Sequence, residues 1–332
     1  MSGVDDLDDL RASFRDVLAD AAAAGDIRRH VNEGASRCES LWRKAAELGW
    51  FALLTPEIHG GLGLGRAAAA VLYEEMGRVT APLPVLGALA ATEIVAAFGD
   101  GAQCSEWLPR LAAGESATFA ADAEDADLID GDQASLLLAR QSGGPWMLGA
   151  PVAVERIELF DRTRSLARAR LDSAASKLAG SPERIARTLR IHANMALACD
   201  SVGGAKAVLE ETIQYLKTRE QFGKPVGSFQ ALKHRCAEHK VAVAAAEALL
   251  ASAVARWDCD DVDADLYAML VKALACDMYA AVATDAVQLH GGIGFTWEHD
   301  CHLYLKRAKL NQTLFGSAAV QWDGAARLMV SA

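Results

Sequence analysis

A chain of 332 residues, 52% of them hydrophobic and 23% charged, is long enough for two or three packed units with a large apolar interior. Its net charge of −11 argues against a nucleic-acid partner, which needs clustered Lys and Arg, and gives no support to an anionic membrane surface. The seven cysteines (Cys38, Cys104, Cys199, Cys236, Cys259, Cys276 and Cys301) are scattered without a C-x-x-C pair. Neither a disulfide framework nor a zinc site is expected from them, and a reducing cytoplasm fits best. Met1 to Asp9 carries four acidic residues and no apolar core, unlike a signal peptide. The longer apolar runs are Ala-rich and shorter than a membrane span, so no membrane association is expected.

The chain opens with helical spacing at Leu10, Phe14, Val17 and Leu18, and again at Leu41, Ala45, Ala46 and Gly49. A loop dense in turn formers, Thr55-Pro56-Glu57-Ile58-His59-Gly60-Gly61-Leu62-Gly63, then breaks the pattern. Helix resumes from Ala67 to Gly77, is interrupted by Pro82 and Pro84, and returns from Val85 to Phe98 and from Ser105 to Ala113. From about Thr118 to Ala179 the apolar runs are short: Leu136 to Ala139, Val152 to Val154, and Ile157 to Phe160. Bounded by Gly, Pro and Asp, they predict a few strands with turns.

Ser181-Pro182-Glu183 combines a Ser cap, Pro at the first helical position and an acid in the first turn, which starts a long helix. Its stripe runs through Val202, Ala205, Leu209, Ile213 and Leu216 and ends at Gly223, Pro225 and Gly227. Further helices are predicted from about Phe229 to Trp257, from Ala264 to His290, and from Cys301 to Met329 with a turn near Gly316. The fold class is therefore mainly α. An N-terminal helical domain is expected over residues 1–117, a small β domain over 118–179, and a bundle of long helices over 180–332.

Three stretches stand out from this plan. One is Arg219-Glu220-Gln221-Phe222-Gly223-Lys224-Pro225 with Ser228-Phe229-Gln230 after it. A second is Gln288-Leu289-His290-Gly291-Gly292-Ile293-Gly294-Phe295. The third is N-terminal, Glu47-Leu48-Gly49-Trp50 and Pro56 to Gly63, followed by Glu74-Glu75-Met76-Gly77-Arg78. A guanidinium where a helix ends can pair bidentately with pyrophosphate, and a phenylalanine one turn on offers a face to adenine. Gln230 can supply amide hydrogen bonds, and two glycines after Gln288 let backbone N–H groups approach phosphate or ribose. Blander roles also exist: Arg219 as a helix end favoured by the macrodipole, Gly291-Gly292 as a helix stop, Phe222 as core.

Taken together the three stretches resemble the acyl-CoA dehydrogenase family over nearly the whole chain, except around residues 119–160. The resemblance implies an acyl-CoA dehydrogenase-like fold, FAD as cofactor and an acyl-CoA thioester as substrate. In the family the R-x-x-F-G and Q-x-x-G-G motifs hold the adenosine and pyrophosphate end of a neighbouring subunit's FAD. By that resemblance Arg219, Phe222, Gln230, Gln288, Gly291 and Gly292 would hold a partner's flavin, with Ser317 a further contact.

The family's catalytic carboxylate removes the α proton while the β hydride passes to flavin, so it must lie within hydrogen-bond reach of that proton. It usually precedes a Gly-Thr or Gly-Ser near the C-terminus; here Phe315 stands before Gly316-Ser317. Some members carry it on the long helix before R-x-x-F, at a position that here falls near Ala193, between His192 and Asn194. No catalytic residue is therefore assigned. A lone helical histidine such as His192 is more often a surface or core residue than a base, and Glu298 and Asp300 are expected to be solvated or paired.

The middle also departs from the family. The run Phe119-Ala120-Ala121-Asp122-Ala123-Glu124-Asp125-Ala126-Asp127 has no Thr or Ser to hydrogen-bond an isoalloxazine, and its four acids would oppose a reduced flavin. Retention of the adenosine grip with loss of the base resembles the short subunit of heteromeric (α2β2) bacterial enzymes, several of which act on steroid side-chain CoA esters. A second, complete subunit is then the expected partner, in lipid or steroid catabolism. The alternatives are a homo-oligomeric dehydrogenase with an unrecognised base, and a non-catalytic scaffold that has lost flavin.

Overall fold

The computed structural model describes residues 2–34, 37–121, 126–140 and 143–331. From the N-terminus come α1 (Ser2–Ala23), α2 (Asp26–Glu33), α3 (Glu39–Glu47), α4 (Gly65–Arg78), α5 (Val85–Phe98) and α6 (Gly101–Ala112). Short strands follow: β1 (Ala117–Ala120), β2 (Ala126–Ile129), β3 (Leu136–Arg140), β4 (Trp146–Gly149), β5 (Pro151–Ile157), β6 (Leu166–Leu171) and β7 (Ser176–Lys177). The rest is α7 (Pro182–Thr218), a minimal hairpin of β8 (Glu220–Gln221) and β9 (Lys224–Pro225), then α8 (Gln230–Asp258), α9 (Ala264–His290), α10 (Cys301–Thr313) and α11 (Ala318–Ser331).

Capping chemistry explains several of these boundaries. Asp100 accepts a 2.8 Å bond from the Gln103 N–H while the Gln103 side chain accepts one of 3.0 Å from the Asp100 N–H, a reciprocal box that starts α6. Ser181 Oγ accepts from the Arg184 N–H at 3.3 Å, and Pro182 opens α7 as expected. The apolar pattern did not mark α2. It is only eight residues long and is delimited by Gly25 and Gly34, both left-handed.

The chain divides into two compact units, one of Ala19–Ala69 with Pro82–Ala193, the other of Met1–Leu18, Ala70–Ala81 and Asn194–Ala332. In the first, β1-β3-β4-β7 form one sheet, with β1 and β3 parallel, and β2-β6-β5 form another. The β module is thus richer than its three apolar runs suggested. Leu136 to Ala139 lies in β3 and Val152 to Val154 in β5, but of the third run only Ile157 is in a strand. Strands such as β6 (Leu-Ala-Arg-Ala-Arg-Leu) alternate small and charged residues, so counting aliphatic runs passes over them. The acidic run Asp122 to Asp125 lies outside the described residues. Of the four acids, Asp127 pairs with Arg168 at 2.9 Å across β2 and β6.

In the second unit α9 packs against α8, α10 and α11. The expectation about membrane length needs correction: Ala264–Phe295 is long and apolar enough to cross a bilayer, with mean hydropathy 1.5. In the structure 67% of its apolar window is buried, because its apolar side chains face the bundle. Lys272 on this helix is fully buried and donates to the Gly316 carbonyl oxygen. Arg307 on α10 is likewise buried and donates to Asp200 Oδ1 at 2.9 Å and to the Thr80 and Ala81 carbonyls at 3.2 and 2.9 Å.

Candidate functional site

The Arg219 stretch leaves α7 as a tight excursion. The Arg219 N–H closes the helix on the Tyr215 carbonyl at 2.8 Å, and its own carbonyl accepts from the Val226 N–H at 2.8 Å. Between these bonds β8 and β9 pair, with Phe222 and Gly223 at the tip, φ 54° and 73°. Two positive φ values suit a two-residue hairpin turn, but a bulky side chain there is strained. The Phe222 side chain is nevertheless 91% exposed and meets the edge of Phe229, at 6.2 Å between ring centroids. Arg219 is exposed, and Gln230 is exposed as the first residue of α8.

The Gln288 stretch ends α9 in the same unit. Gln288 is exposed, and Gly291 turns the chain with φ 65° and ψ −144°, a combination that only glycine adopts readily. The Gly291 N–H closes the helix on the Gln288 carbonyl, and a Cβ on Gly291 or Gly292 would meet nothing within 4 Å, so the turn leaves space for an incoming group. Tyr215 brings the two stretches together: its ring stacks on His290 with centroids 4.4 Å apart, and its hydroxyl donates to the His290 carbonyl at 3.4 Å. Phe295 and Trp297, 66% and 56% exposed, extend the apolar surface beyond the glycines. An exposed cation, exposed aromatic faces and an open glycine turn are the donor set that an anionic dinucleotide end requires.

At the first family position for the base, Phe315 occupies the turn between α10 and α11 with φ 54°. This turn is firmly held. Gln321 Nε2 donates to the Phe315 carbonyl at 2.8 Å, Asn194 Nδ2 donates to Gln321 Oε1 at 2.9 Å, and Lys272 binds the next carbonyl. Burial lowers the Lys272 pKa from its ordinary value. Ser317 is exposed beside the turn. At the second position Ala193 is 1% exposed on α7.

Beside Ala193, His192 is buried, with Nδ1 2.5 Å from Glu93 Oε2, while Arg66 Nε donates to Glu93 Oε1 at 2.6 Å. Glu93, 99 residues before His192 in sequence, is a buried carboxylate that sequence reasoning passed over. Burial pushes its pKa up, but the His192 hydrogen bond and charge together with Arg66 outweigh burial and hold it below the ordinary value. Both its oxygens are engaged and its basicity is low, so it lacks the free lone pair and the matched pKa of a general base. Of the other acids considered, Glu298 is exposed and Asp300 half-buried at the start of α10. Glu74 and Glu75, in the third stretch, face cations: Arg11 reaches both, Arg15 reaches Glu75, and Lys206 binds Glu74 at 3.0 Å.

Comparison with known proteins gives these features a context. The family model described as "Acyl-CoA dehydrogenase, C-terminal domain" matches residues 184–330, and "Acyl-CoA dehydrogenase, N-terminal domain" matches residues 5–115. The chain is 37% identical to "Acyl-CoA dehydrogenase IpdE2" of Mycobacterium tuberculosis over 90% of its own length and 89% of that protein. Among solved structures, a chain of the "Tcur3481-Tcur3483 steroid ACAD" is similar at TM-score 0.87 and 26% identity, covering 99% of both chains. A chain of the "ChsE4-ChsE5 complex from Mycobacterium tuberculosis" shares the fold at TM-score 0.88 and 24% identity, covering 98% of this chain and 97% of the other.

Proposed function

Since the chain belongs to the acyl-CoA dehydrogenase family, we propose that it is one subunit of a heteromeric, FAD-dependent acyl-CoA dehydrogenase, contributing the adenosine and pyrophosphate grip on flavin. One observation carries this reading. The positions where the family keeps its carboxylate hold Phe315 and Ala193, while the exposed Arg219–Phe222 hairpin and the Gly291-Gly292 turn persist side by side. A chain that needed no flavin would have no evident reason to keep both.

The residues present fit the cofactor's far end. Arg219 would pair with pyrophosphate oxygens, Phe222 would cover adenine, and Gln230 and Gln288 would supply amide hydrogen bonds. The Gly291-Gly292 turn, with nothing within 4 Å of either Cβ position, would let phosphate or ribose approach the backbone without steric opposition. Ser317 stands in the Gly-Ser pair after Phe315, where the family makes a further contact. FAD, when bound, supplies the hydride acceptor for α,β-dehydrogenation of an acyl-CoA thioester. A complete partner subunit supplies the carboxylate that takes the α proton, because phenylalanine and alanine cannot.

A bulky acyl group of the steroid side-chain class is the substrate we favour. The support is the likeness to the steroid ACAD chain named above, together with the two-chain character of both solved relatives. The test is co-expression with a dehydrogenase subunit encoded beside this one, scoring flavin per purified complex. Arg219→Ala should abolish or sharply reduce flavin in the mixed complex without dissociating it. Unchanged flavin removes the grip assigned here, and tight flavin at one per chain in the isolated protein removes the heteromeric reading.

A further inference from the structure

Between α9 and α10 the fold gathers two imidazoles and a thiol that the flavin reading leaves unused. His290 is the last residue of α9 and 3% exposed, Cys301 is the first of α10 and fully buried, and His299 is half-buried just before it. One donor atom from each lies within 4.8 Å of the others. Cys301 Sγ is 3.3 Å from His290 Nδ1, and the two imidazole centroids are 4.3 Å apart with the rings tilted at 50°.

The orientation of His290 is informative. Its Nδ1 lies 2.8 Å from the Ala286 carbonyl oxygen, which fixes the proton on that nitrogen and leaves Nε2 with a lone pair. Nε2 is buried and has no hydrogen-bond partner among the described residues. A buried acceptor without a donor costs about 1–3 kcal/mol, whereas a backbone carbonyl on one nitrogen and a metal on the other is the usual arrangement of a ligating imidazole. Cys301 opens a 13-residue helix; burial and the nearby Glu211 and Asp300 push its thiol up to about 12, so a bound metal, which deprotonates a coordinating thiol outright, would have to displace that proton.

Access is available as well. An open cleft lined by Glu210, Glu211, Gln214, Tyr215, Thr218 and His299 reaches the third ligand. We propose that His290, His299 and Cys301 bind a thiophilic divalent transition-metal ion of the zinc class, with the fourth position open to the cleft. Two imidazoles and one thiolate suit that class and not magnesium or calcium, which take oxygen ligands. Bonds of about 2.0–2.3 Å bring tetrahedral donors to about 3.3–3.8 Å from one another, so binding draws the half-buried His299 inward. The ion would clasp the two ends of the turn that carries Gly291 and Gly292.

The test is titration of untagged, reduced, metal-stripped full-length protein with Co2+, following the thiolate-to-metal charge-transfer absorption. One Co2+ per chain, displaced by Zn2+, is expected. The charge-transfer band should vanish in Cys301→Ser and persist in Cys259→Ser, whose thiol is exposed elsewhere. His299→Ala should weaken binding by at least the roughly ten-fold that loss of an outer-shell partner costs, and being half-buried it decides the matter if Cys301→Ser does not fold. Absence of the band in the unmodified protein overturns the proposal, as does a band that survives His299→Ala at full affinity or disappears in Cys259→Ser. Flavin content of the mixed complex is a separate readout, so either reading can fail alone.

Discussion

Replacing Arg307 with methionine isolates a fully buried charge of the second unit. The guanidinium is fully buried and donates to the Asp200 carboxylate and to the carbonyls of Thr80 and Ala81. Methionine fills much of the volume, so the loss is polar. Asp200, 4% exposed at its side chain, would keep only the Asn311 amide at 2.7 Å, and two carbonyls would lose their donor. Breaking one side of a buried pair costs about 3–5 kcal/mol. For a unit of this size each kcal/mol moves the midpoint by about 2–4 °C, so a fall of about 6–20 °C is expected by calorimetry or circular dichroism. Asp200→Asn added to Arg307→Met should recover part of the loss, because it removes the orphaned charge. A single-variant shift below about 2 °C, or a double variant less stable than Arg307→Met, would refute the claim that the pair rather than local packing holds this region.

Three further outcomes are expected. Glu93 has a depressed pKa in the fold, so its contribution is present above its ordinary value of 4.5 and is lost as pH falls through the lower folded value. Glu93→Gln should therefore lose about 3–5 kcal/mol near neutrality and flatten the acid limb of a stability–pH profile; an unchanged acid limb contradicts the assignment. Gly87→Ala places a Cβ 1.9 Å from the Ala117 carbonyl oxygen, a backbone clash that should cost about 1–3 kcal/mol or more. Gly101→Ala, whose Cβ meets nothing within 4 Å, should melt no lower than the parent. Phe315→Glu restores a carboxylate at the family position, yet the isolated chain should still fail to reduce an artificial acceptor with any acyl-CoA, since the partner contributes more than the base; turnover by this variant alone would sink the division of labour.

Long apolar runs with clear stops were legible from sequence. α5 and α9 occupy the expected Val85–Phe98 and Ala264–His290 because each is apolar enough for burial to fix its extent and each ends at glycine. The turn near Gly316 was legible for the same reason: Gly316 takes φ 98°. What escaped depends on partners far away in the chain. β1 and β3 pair in parallel from Ala117↔Leu136 onward, and neither Ala117 nor Thr118 signals a strand without Leu136 beside it. Likewise His192 gives no hint of Glu93 and Arg66, and Cys301, with no cysteine at pair spacing, gives no hint of the two histidines that fold beside it.

The distinction between holding the fold and holding a ligand can be drawn from how charges and rings are placed. Interior charges end on partners within the chain: Arg307 on Asp200, Glu93 on His192 and Arg66, Glu75 on Arg11 and Arg15. The family-motif side chains run the other way, with Arg219, Gln230 and Gln288 exposed and Phe222 91% exposed. Phe222 also adopts a left-handed backbone, which costs a non-glycine residue about 1–2 kcal/mol, and burial inside this chain does not offset that cost. Strain kept at an exposed aromatic tip, next to an exposed guanidinium and an open glycine turn, is what a grip on something outside the chain requires. The same turn is bracketed by His290 and Cys301, so an ion bound there would stiffen the surface that meets the cofactor without touching it.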